Sequence, residues 1–299
     1  MNRLQAIKAF TEEFAALGME PREAEAEVKH AFANIMGCNI HTLYLRGQMP
    51  ISDSEEYRMR EILRRRSKGE PLAYILKERW FMGMRFKVTP DVLIPRQETE
   101  ILAETAVHLI RDEVFGAALD LCTGSGCIAV SLARYTRAKI TASDISEQAL
   151  EVARHNARIN GVTVAYIASD LFMQIEGTFD LITANPPYVS PQELKALARE
   201  VRDFEPRLAL KAEQDGLEFY CRIIGEAPAY LKSNGALVLE IGEKQAPPVT
   251  KLLADNEFDR IRIIKDYSGL DRIVVARRPY APPPKKKIET LMFDGRKYV

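Results

Sequence analysis

Residues Ala117 to Leu132 read Ala-Ala-Leu-Asp-Leu-Cys-Thr-Gly-Ser-Gly-Cys-Ile-Ala-Val-Ser-Leu. The first five form a short apolar run with one acid, Gly124 and Gly126 break it, and Ile128, Val130 and Leu132 carry the chain into a helix. A strand that runs through a glycine turn directly into a helix is the opening unit of a parallel sheet covered by helices. Glycines let the backbone turn sharply and approach a ligand closely, while the first N–H groups of the helix point at that ligand. With Ala129 the stretch also satisfies the relaxed pattern G-x-G-x-x-A, so a nicotinamide cofactor stays open at this point.

Working outward, strand-like and helix-like runs alternate on both sides. The strand candidates are 117–121, 138–143, 162–167, 179–184, 235–241, 260–265 and 272–277. Seven strands with helices between them predict an α/β class, a doubly wound, Rossmann-like sheet, over about residues 96–279. Upstream, residues 1–70 read as helices. Leu4, Ile7, Phe14 and Leu17 recur at helical spacing before Gly18; Pro21 opens a second helix with Val28, Ala31, Phe32 and Ile35 on one stripe; a third starts near Ser52 with Met59, Ile62 and Leu63. Its end carries Arg64, Arg65, Arg66 and Lys68, read as a solvated helix end that complements the dipole or as a patch touching a partner. Residues 71–95, with Trp80, Phe81, Phe86, Val88 and Ile94, read as a linker containing a hairpin. Residues 280–299, with three prolines and Lys285 to Lys287, read as a flexible tail.

Composition excludes several classes. The chain has 299 residues, 46% hydrophobic and 28% charged, as in ordinary globular proteins. Its 42 basic and 42 acidic residues cancel, which gives no whole-molecule field for nonspecific nucleic-acid binding, so no DNA partner is expected. Cys38, Cys122, Cys127 and Cys221 lie far from a C-x-x-C spacing, so neither a metal site nor a disulfide framework is expected. No stretch has the pattern of a signal peptide or a membrane span, and a cytoplasmic location, with no membrane partner, is the expectation.

Ligand crevices in such sheets lie off the carboxyl ends of the strands, so the residues there are the candidates. Asp144 follows the second strand, where a carboxylate accepts hydrogen bonds from both hydroxyls of a ribose. Asp170 reads equally as a ligand contact or a helix N-cap, and Leu171 and Phe172 offer apolar surface to an adenine. Cys122 reads as a small neutral loop residue, since no histidine lies near it in sequence. After the fourth strand comes Asn185-Pro186-Pro187-Tyr188. Two prolines give no N–H donor and Pro187 keeps Pro186 extended, so the loop is a stiff frame of carbonyl acceptors to which Asn185 adds its side-chain carbonyl. Such a site prefers an –NH2 group with two hydrogens to satisfy, and the Tyr188 ring suits a flat conjugated group. An amide nitrogen is a poor nucleophile because its lone pair is delocalised; acceptors on its hydrogens return electron density to it and stabilise the positive charge that grows on alkylation. An acceptor-only pocket weighs against a dehydrogenase.

At these residues the sequence resembles the HemK/PrmC family, peptide chain release factor N5-glutamine methyltransferases. The resemblance rests on Pro71-Leu72-Ala73-Tyr74-Ile75, Leu93-Ile94-Pro95-Arg96-Gln97-Glu98-Thr99-Glu100, Asp120 to Gly126, Asn185 to Tyr188, and Val201-Arg202-Asp203-Phe204-Glu205-Pro206. It implies S-adenosyl-L-methionine as cofactor, a helical N-terminal domain that recognises the release factor, a β-hairpin connector, and a seven-stranded catalytic sheet with an antiparallel last strand. By motif position it implies cofactor contacts at Cys122, Thr123, Gly124, Ser125, Gly126, Asp144, Leu171 and Asn185. Asn185, Pro186, Pro187 and Tyr188 would hold the glutamine amide of a Gly-Gly-Gln tripeptide, with Asn185 and Tyr188 as catalytic residues, in a monomeric enzyme. Two positions depart from the pattern: Cys122 where glycine is common, tolerable if its φ is negative, and Lys77 where glycine is common, so that the hairpin turn is expected to differ. Alternatives kept in view are a glutamine methyltransferase of ribosomal protein L3, an adenine-N6 methyltransferase and a noncatalytic S-adenosylmethionine-binding protein.

Overall fold

Three apolar clusters organise the chain, one inside the N-terminal helices and one on each face of a central sheet. The structure, a computed structural model, describes residues 1–280 and, beyond them, only a backbone pairing of 292–293 with 296–297. The rest of the expected tail lies outside the described residues.

The N-terminal helices are α1 (Arg3–Ala15), α2 (Pro21–Ile35), α3 (Ile40–Leu45), α4 (Asp53–Arg66) and α5 (Leu72–Leu76). They enclose Phe10, Phe14, Val28, Phe32, Leu43 and Met59, all essentially fully buried. Two of these helices differ from the sequence expectation. The short α3, capped by Asn39 onto the Thr42 N–H, lies in a stretch without helical periodicity, and α5 lies in the stretch read as linker, with Leu72, Ile75 and Leu76 packed on the helical core.

The hairpin follows as β1 (Glu78–Phe81) and β2 (Met84–Lys87). Lys77 adopts φ 59°, the left-handed conformation a glycine would take, so the expected change of turn does not occur; the lysine accepts the strained geometry instead. Met82 and Gly83 both have positive φ, as a two-residue hairpin loop requires. The Tyr135 hydroxyl donates to the Met82 carbonyl at 2.7 Å and fixes the loop to the sheet domain.

The remaining elements are α6 (Gln97–Asp112), β3 (Ala117–Leu121), α7 (Cys127–Tyr135), β4 (Lys139–Asp144), α8 (Glu147–Ile159), β5 (Ala165–Ala168), β6 (Phe179–Ala184), α9 (Pro191–Ala196), α10 (Arg199–Phe204), α11 (Glu218–Tyr230), β7 (Leu231–Glu240), α12 (Ala246–Asp255), β8 (Asp259–Lys265) and β9 (Asp271–Arg277). The sheet order is β5-β4-β3-β6-β7-β9-β8, parallel except for β9, which runs antiparallel to both neighbours. The chain winds outward in one direction from β3 to β5 and in the other from β6, which leaves a crevice at the carboxyl ends of β3 and β6. β5 is shorter than the expected 162–167: Val162 and Val164 pack against the core without joining the ladder.

The basic run at the end of α4 divides. Arg64 and Lys68 are exposed, as a solvated helix end would be, with Arg64 paired to Glu61 and Arg65 to Glu70; Arg66 is buried, bonded to Glu27 at 2.8 Å and to Glu200 of α10 at 3.0 Å. Arg66 therefore joins the N-terminal helices to the sheet domain. Tyr74, Val88, Val92, Ile94, Ala149 and Val152 form a small apolar cluster at the same junction.

Candidate active site

A cavity of about 370 Å³ opens at the carboxyl edge of the sheet, within the usual range for a small-molecule site. Its wall includes Cys122 to Ser125 after β3, Asp144 to Ser146 after β4, Ser169 to Leu171 after β5, and Asn185 and Pro187 after β6.

The glycine loop is shaped by alternation. Cys122, Gly124 and Gly126 have φ of 54°, 53° and 78°, and alternate left-handed residues curl successive N–H groups toward one side. A Cβ on Gly126 would stand 2.9 Å from that of Ala153, so close packing of the loop on α8 requires glycine there. Cys122 fails the condition set by the sequence: its φ is positive, and this loop tolerates the cysteine with strain. Burial, reinforced by Asp144 and Asp120, pushes its thiol well up, which makes it the neutral residue the sequence suggested. Asp120 is fully buried and accepts from the Thr123 hydroxyl at 2.6 Å and the Thr183 hydroxyl at 2.8 Å, tying the loop to β6. Burial raises its carboxyl to about 7.

Asp144 accepts from Gly124 N through Oδ2 at 2.8 Å and from Ser146 N through Oδ1 at 2.9 Å. Each oxygen keeps a lone pair, so the carboxylate is already oriented for further donors. Burial raises its pKa, with the backbone N–H bonds from Ser146, Gly124 and Ile145 opposing. The Asp170 carboxylate pairs with Arg222 of α11 at 2.8 Å rather than capping a helix, and the residue stays in the cavity wall. Leu171 lines the cavity at φ 47°, but Phe172 turns away and stacks on Tyr230, ring centroids 4.5 Å apart. Leu171 and Ile145 give the cavity wall its apolar surface here instead.

Along the acceptor loop the wall takes Asn185 and Pro187, while Pro186 is buried outside it and Tyr188 packs on the sheet's second core cluster. The reason is the extended backbone imposed on Pro186, which sends successive residues to opposite sides. Asn185 donates from Nδ2 to the Thr99 hydroxyl at 3.3 Å, which leaves Oδ1 for the cavity. Among the described residues, no hydrogen bond is made to the carbonyls of Pro186 or Pro187.

Both cationic residues in the wall are engaged, Arg96 with Glu205 and Arg222 with Asp170. An acid for a ribose, apolar surface for a purine and no spare cation fit S-adenosylmethionine. Sequence reasoning missed Thr99, which holds Asn185, and Glu205, which pairs with Arg96. Both lie inside motifs quoted for the resemblance.

The chain matches the family described as PrmC N-terminal domain over residues 5–76 and the family described as Methyltransferase small domain over 97–203. A curated protein of Cereibacter sphaeroides, named release factor glutamine methyltransferase, is 39% identical over 284 residues, 94% of this chain and 100% of that protein. A protein of the same name from Fusobacterium nucleatum is 38% identical over 268 residues, 88% of this chain and 76% of its own. The chain belongs to the release factor glutamine methyltransferase family. Members of this family are S-adenosylmethionine-dependent enzymes, and the sheet follows the fold that the cofactor loop predicted. Among solved structures, a methyltransferase from Pyrococcus furiosus shares that fold, with a TM-score of 0.50 at 20% identity over 66% of this chain and 90% of that one. Among the described residues no helix is long and apolar enough to cross a membrane, and no His, Cys, Asp and Glu cluster could hold a metal ion.

Proposed function

We propose that this chain transfers the methyl group of S-adenosyl-L-methionine to the side-chain amide N5 of the glutamine in the Gly-Gly-Gln motif of peptide chain release factors. The observation that carries the proposal is the Asn185 amide, anchored through Nδ2 so that its oxygen is free at the edge that also holds the glycine loop and Asp144. Family membership supports the choice of a glutamine amide over an adenine amine or ribosomal protein L3, and we place the enzyme in the cytoplasm as a monomer. The helices of residues 1–70 would recognise the release factor, with 71–95 connecting them to the catalytic domain.

Cys122 through Gly126, Asp144, Leu171 and Asn185 would hold the cofactor, Asp144 by accepting from the ribose hydroxyls. Bound there, S-adenosylmethionine supplies a methyl group on a positively charged sulfur. Asn185 Oδ1 accepts one hydrogen of the glutamine –NH2, and the carbonyl of Pro187 is the acceptor for the other. Both contacts strengthen as positive charge develops on nitrogen, so the loop stabilises the transition state more than the ground state. Pro186 and Tyr188 act from behind the wall by stiffening it. The alkylated nitrogen is acidic enough to lose its extra proton to water, and no side-chain base is required before transfer.

Mass spectrometry of a release-factor Gly-Gly-Gln peptide, with and without the enzyme and cofactor, tests the reading: a gain of one methyl on glutamine is expected. Asn185→Ala should slow transfer by about 10²-fold or more while cofactor affinity changes far less. Methylation of DNA or of ribosomal protein L3 in place of the release factor would overturn it.

A further inference from the structure

One buried polar side chain outside the cavity wall reaches the glycine loop from behind. Asn156, on α8, is fully buried. Its Oδ1 accepts from the Lys87 N–H at 2.7 Å, and its Nδ2 donates to the Lys87 carbonyl at 3.0 Å and to the Ser125 carbonyl at 2.8 Å. Lys87 ends β2 and Ser125 belongs to the glycine loop, so one amide joins the hairpin to the loop. Two carbonyls need the two hydrogens of an –NH2 and the N–H needs an oxygen, which asparagine provides and aspartate and leucine, of similar size, do not. The Ser125–Gly126 peptide is thereby held at both ends, because the Gly126 N–H donates to the Thr123 carbonyl at 2.8 Å. Ala153, one turn earlier on α8, packs directly against Gly126.

We propose that Asn156 is a positioning residue for cofactor binding: it keeps the glycine loop in its binding shape by gripping the Ser125 carbonyl, and it is itself braced on the hairpin through Lys87. The proposal rests on the reading of Cys122 to Gly126 as the cofactor loop. A loop already fixed in the bound shape loses little conformational freedom when the ligand arrives, so its affinity exceeds that of the same contacts on a loose loop. The same amide steadies a second part of the wall, since the chain runs from Lys87 through Val88 and Thr89 into Pro90 to Leu93, which line the cavity.

A second asparagine supplies the control. Asn160, which caps the C-terminal end of α8, grips the same hairpin without touching the loop: its Nδ2 donates to the Arg85 carbonyl at 3.0 Å and to the Asn156 carbonyl at 2.9 Å. Anchorage of the hairpin and the hold on the loop are therefore separable. Alanine at 156 removes the grip and leaves the Ser125 carbonyl buried without its donor. Ionised aspartate at 156 still accepts from the Lys87 N–H, but it turns an oxygen on the Lys87 and Ser125 carbonyls, so acceptor faces acceptor.

The test is calorimetric titration of S-adenosylhomocysteine into the full-length wild type, Asn156→Ala, Asn156→Asp and Asn160→Ala, with a thermal melt of each and methyl transfer to a full-length release factor. Asn156→Ala should bind about tenfold more weakly than wild type and Asn156→Asp about 30-fold or more. Asn160→Ala should melt earlier yet bind within about twofold of wild type. In methyl transfer the loss in Asn156→Ala should appear in the cofactor KM rather than in kcat, the reverse of the pattern expected for Asn185→Ala. A purely structural role would lower the melting temperature of all three variants and leave the affinity of the folded protein unchanged. If the aspartate variant does not fold, the alanine variant carries the test. Affinity within about twofold of wild type in folded Asn156→Ala, or an equal loss in Asn160→Ala, overturns the positioning role and leaves the proposed reaction standing. Calorimetry needs no methyl acceptor, so an enzyme inert toward release factor overturns the proposed reaction and leaves this role intact.

Discussion

Replacing Asp144 with asparagine changes one heavy atom and should weaken cofactor binding out of proportion. In the wild type, Oδ2 accepts from Gly124 N and Oδ1 from Ser146 N, and both oxygens have a lone pair left for a ribose hydroxyl. An asparagine has only one oxygen, so its –NH2 must face the Gly124 N–H, the Ser146 N–H or a hydroxyl that would donate. Whichever orientation it takes, at least one charge-assisted bond becomes a donor–donor contact. A hydrogen bond to a charged group contributes roughly 1.5–3 kcal/mol, so S-adenosylmethionine affinity should drop by about 10- to 100-fold. Calorimetric titration with S-adenosylhomocysteine reads this directly. The wild type carries a linked pH dependence. Burial raises the Asp144 pKa, and binding needs the carboxylate, so affinity should be lost as the pH falls, at a higher pH than an exposed aspartate would give. Asp144→Asn should not show that loss. An affinity within about twofold of wild type would refute the assignment of Asp144 to the ribose.

Two further outcomes concern stability. Lys77 is exposed at φ 59°, so Lys77→Gly should remove about 1–2 kcal/mol of left-handed strain against about 0.5–1 kcal/mol of added chain entropy, and raise the melting temperature by roughly 1–3 °C. Calorimetry checks it, and a lower melting temperature would contradict the strain argument. Arg66→Met strands the half-buried Glu27 carboxylate and should destabilise the helical domain by about 3–5 kcal/mol in urea unfolding, with much of the loss recovered in the Arg66→Met, Glu27→Met double variant. A single variant within about 1 kcal/mol of wild type would show that the junction holds without the ion pair.

The parts of the fold that sequence revealed are those whose signal is local. β3, β6 and β9 are apolar runs of five to seven residues bounded by turns, and their limits were read to within one residue. α3 escaped because six residues make too few turns to show a period, leaving only the Asn39 cap as a sign. The insertion of β9 between β7 and β8 is a matter of pairing, which no local pattern encodes; the resemblance implied only that the last strand runs antiparallel. The site divides in the same way. Asp144, Leu171 and Asn185 follow strands, and the rule that loops at carboxyl ends converge placed them in one cavity. Whether Phe172, Pro186 and Tyr188 face that cavity depends on backbone direction at single residues, and there composition misled. Thr99 belongs to the site through a hydrogen bond from Asn185, 86 residues away, and sequence spacing carries no trace of such a contact.

The position of β9 also bears on how the chain is made. β8 has no partner in the sheet other than β9, and β9 is the last strand of the sheet to be synthesised. Until residues 271–277 leave the ribosome, β7 is an open edge and β8 has nothing to pair with, so a sticky border of unpaired backbone persists from the emergence of β7 to that of β9. A nascent chain stopped even a few residues short of Arg277 is thus the form of this protein most exposed to aggregation and to chaperone capture.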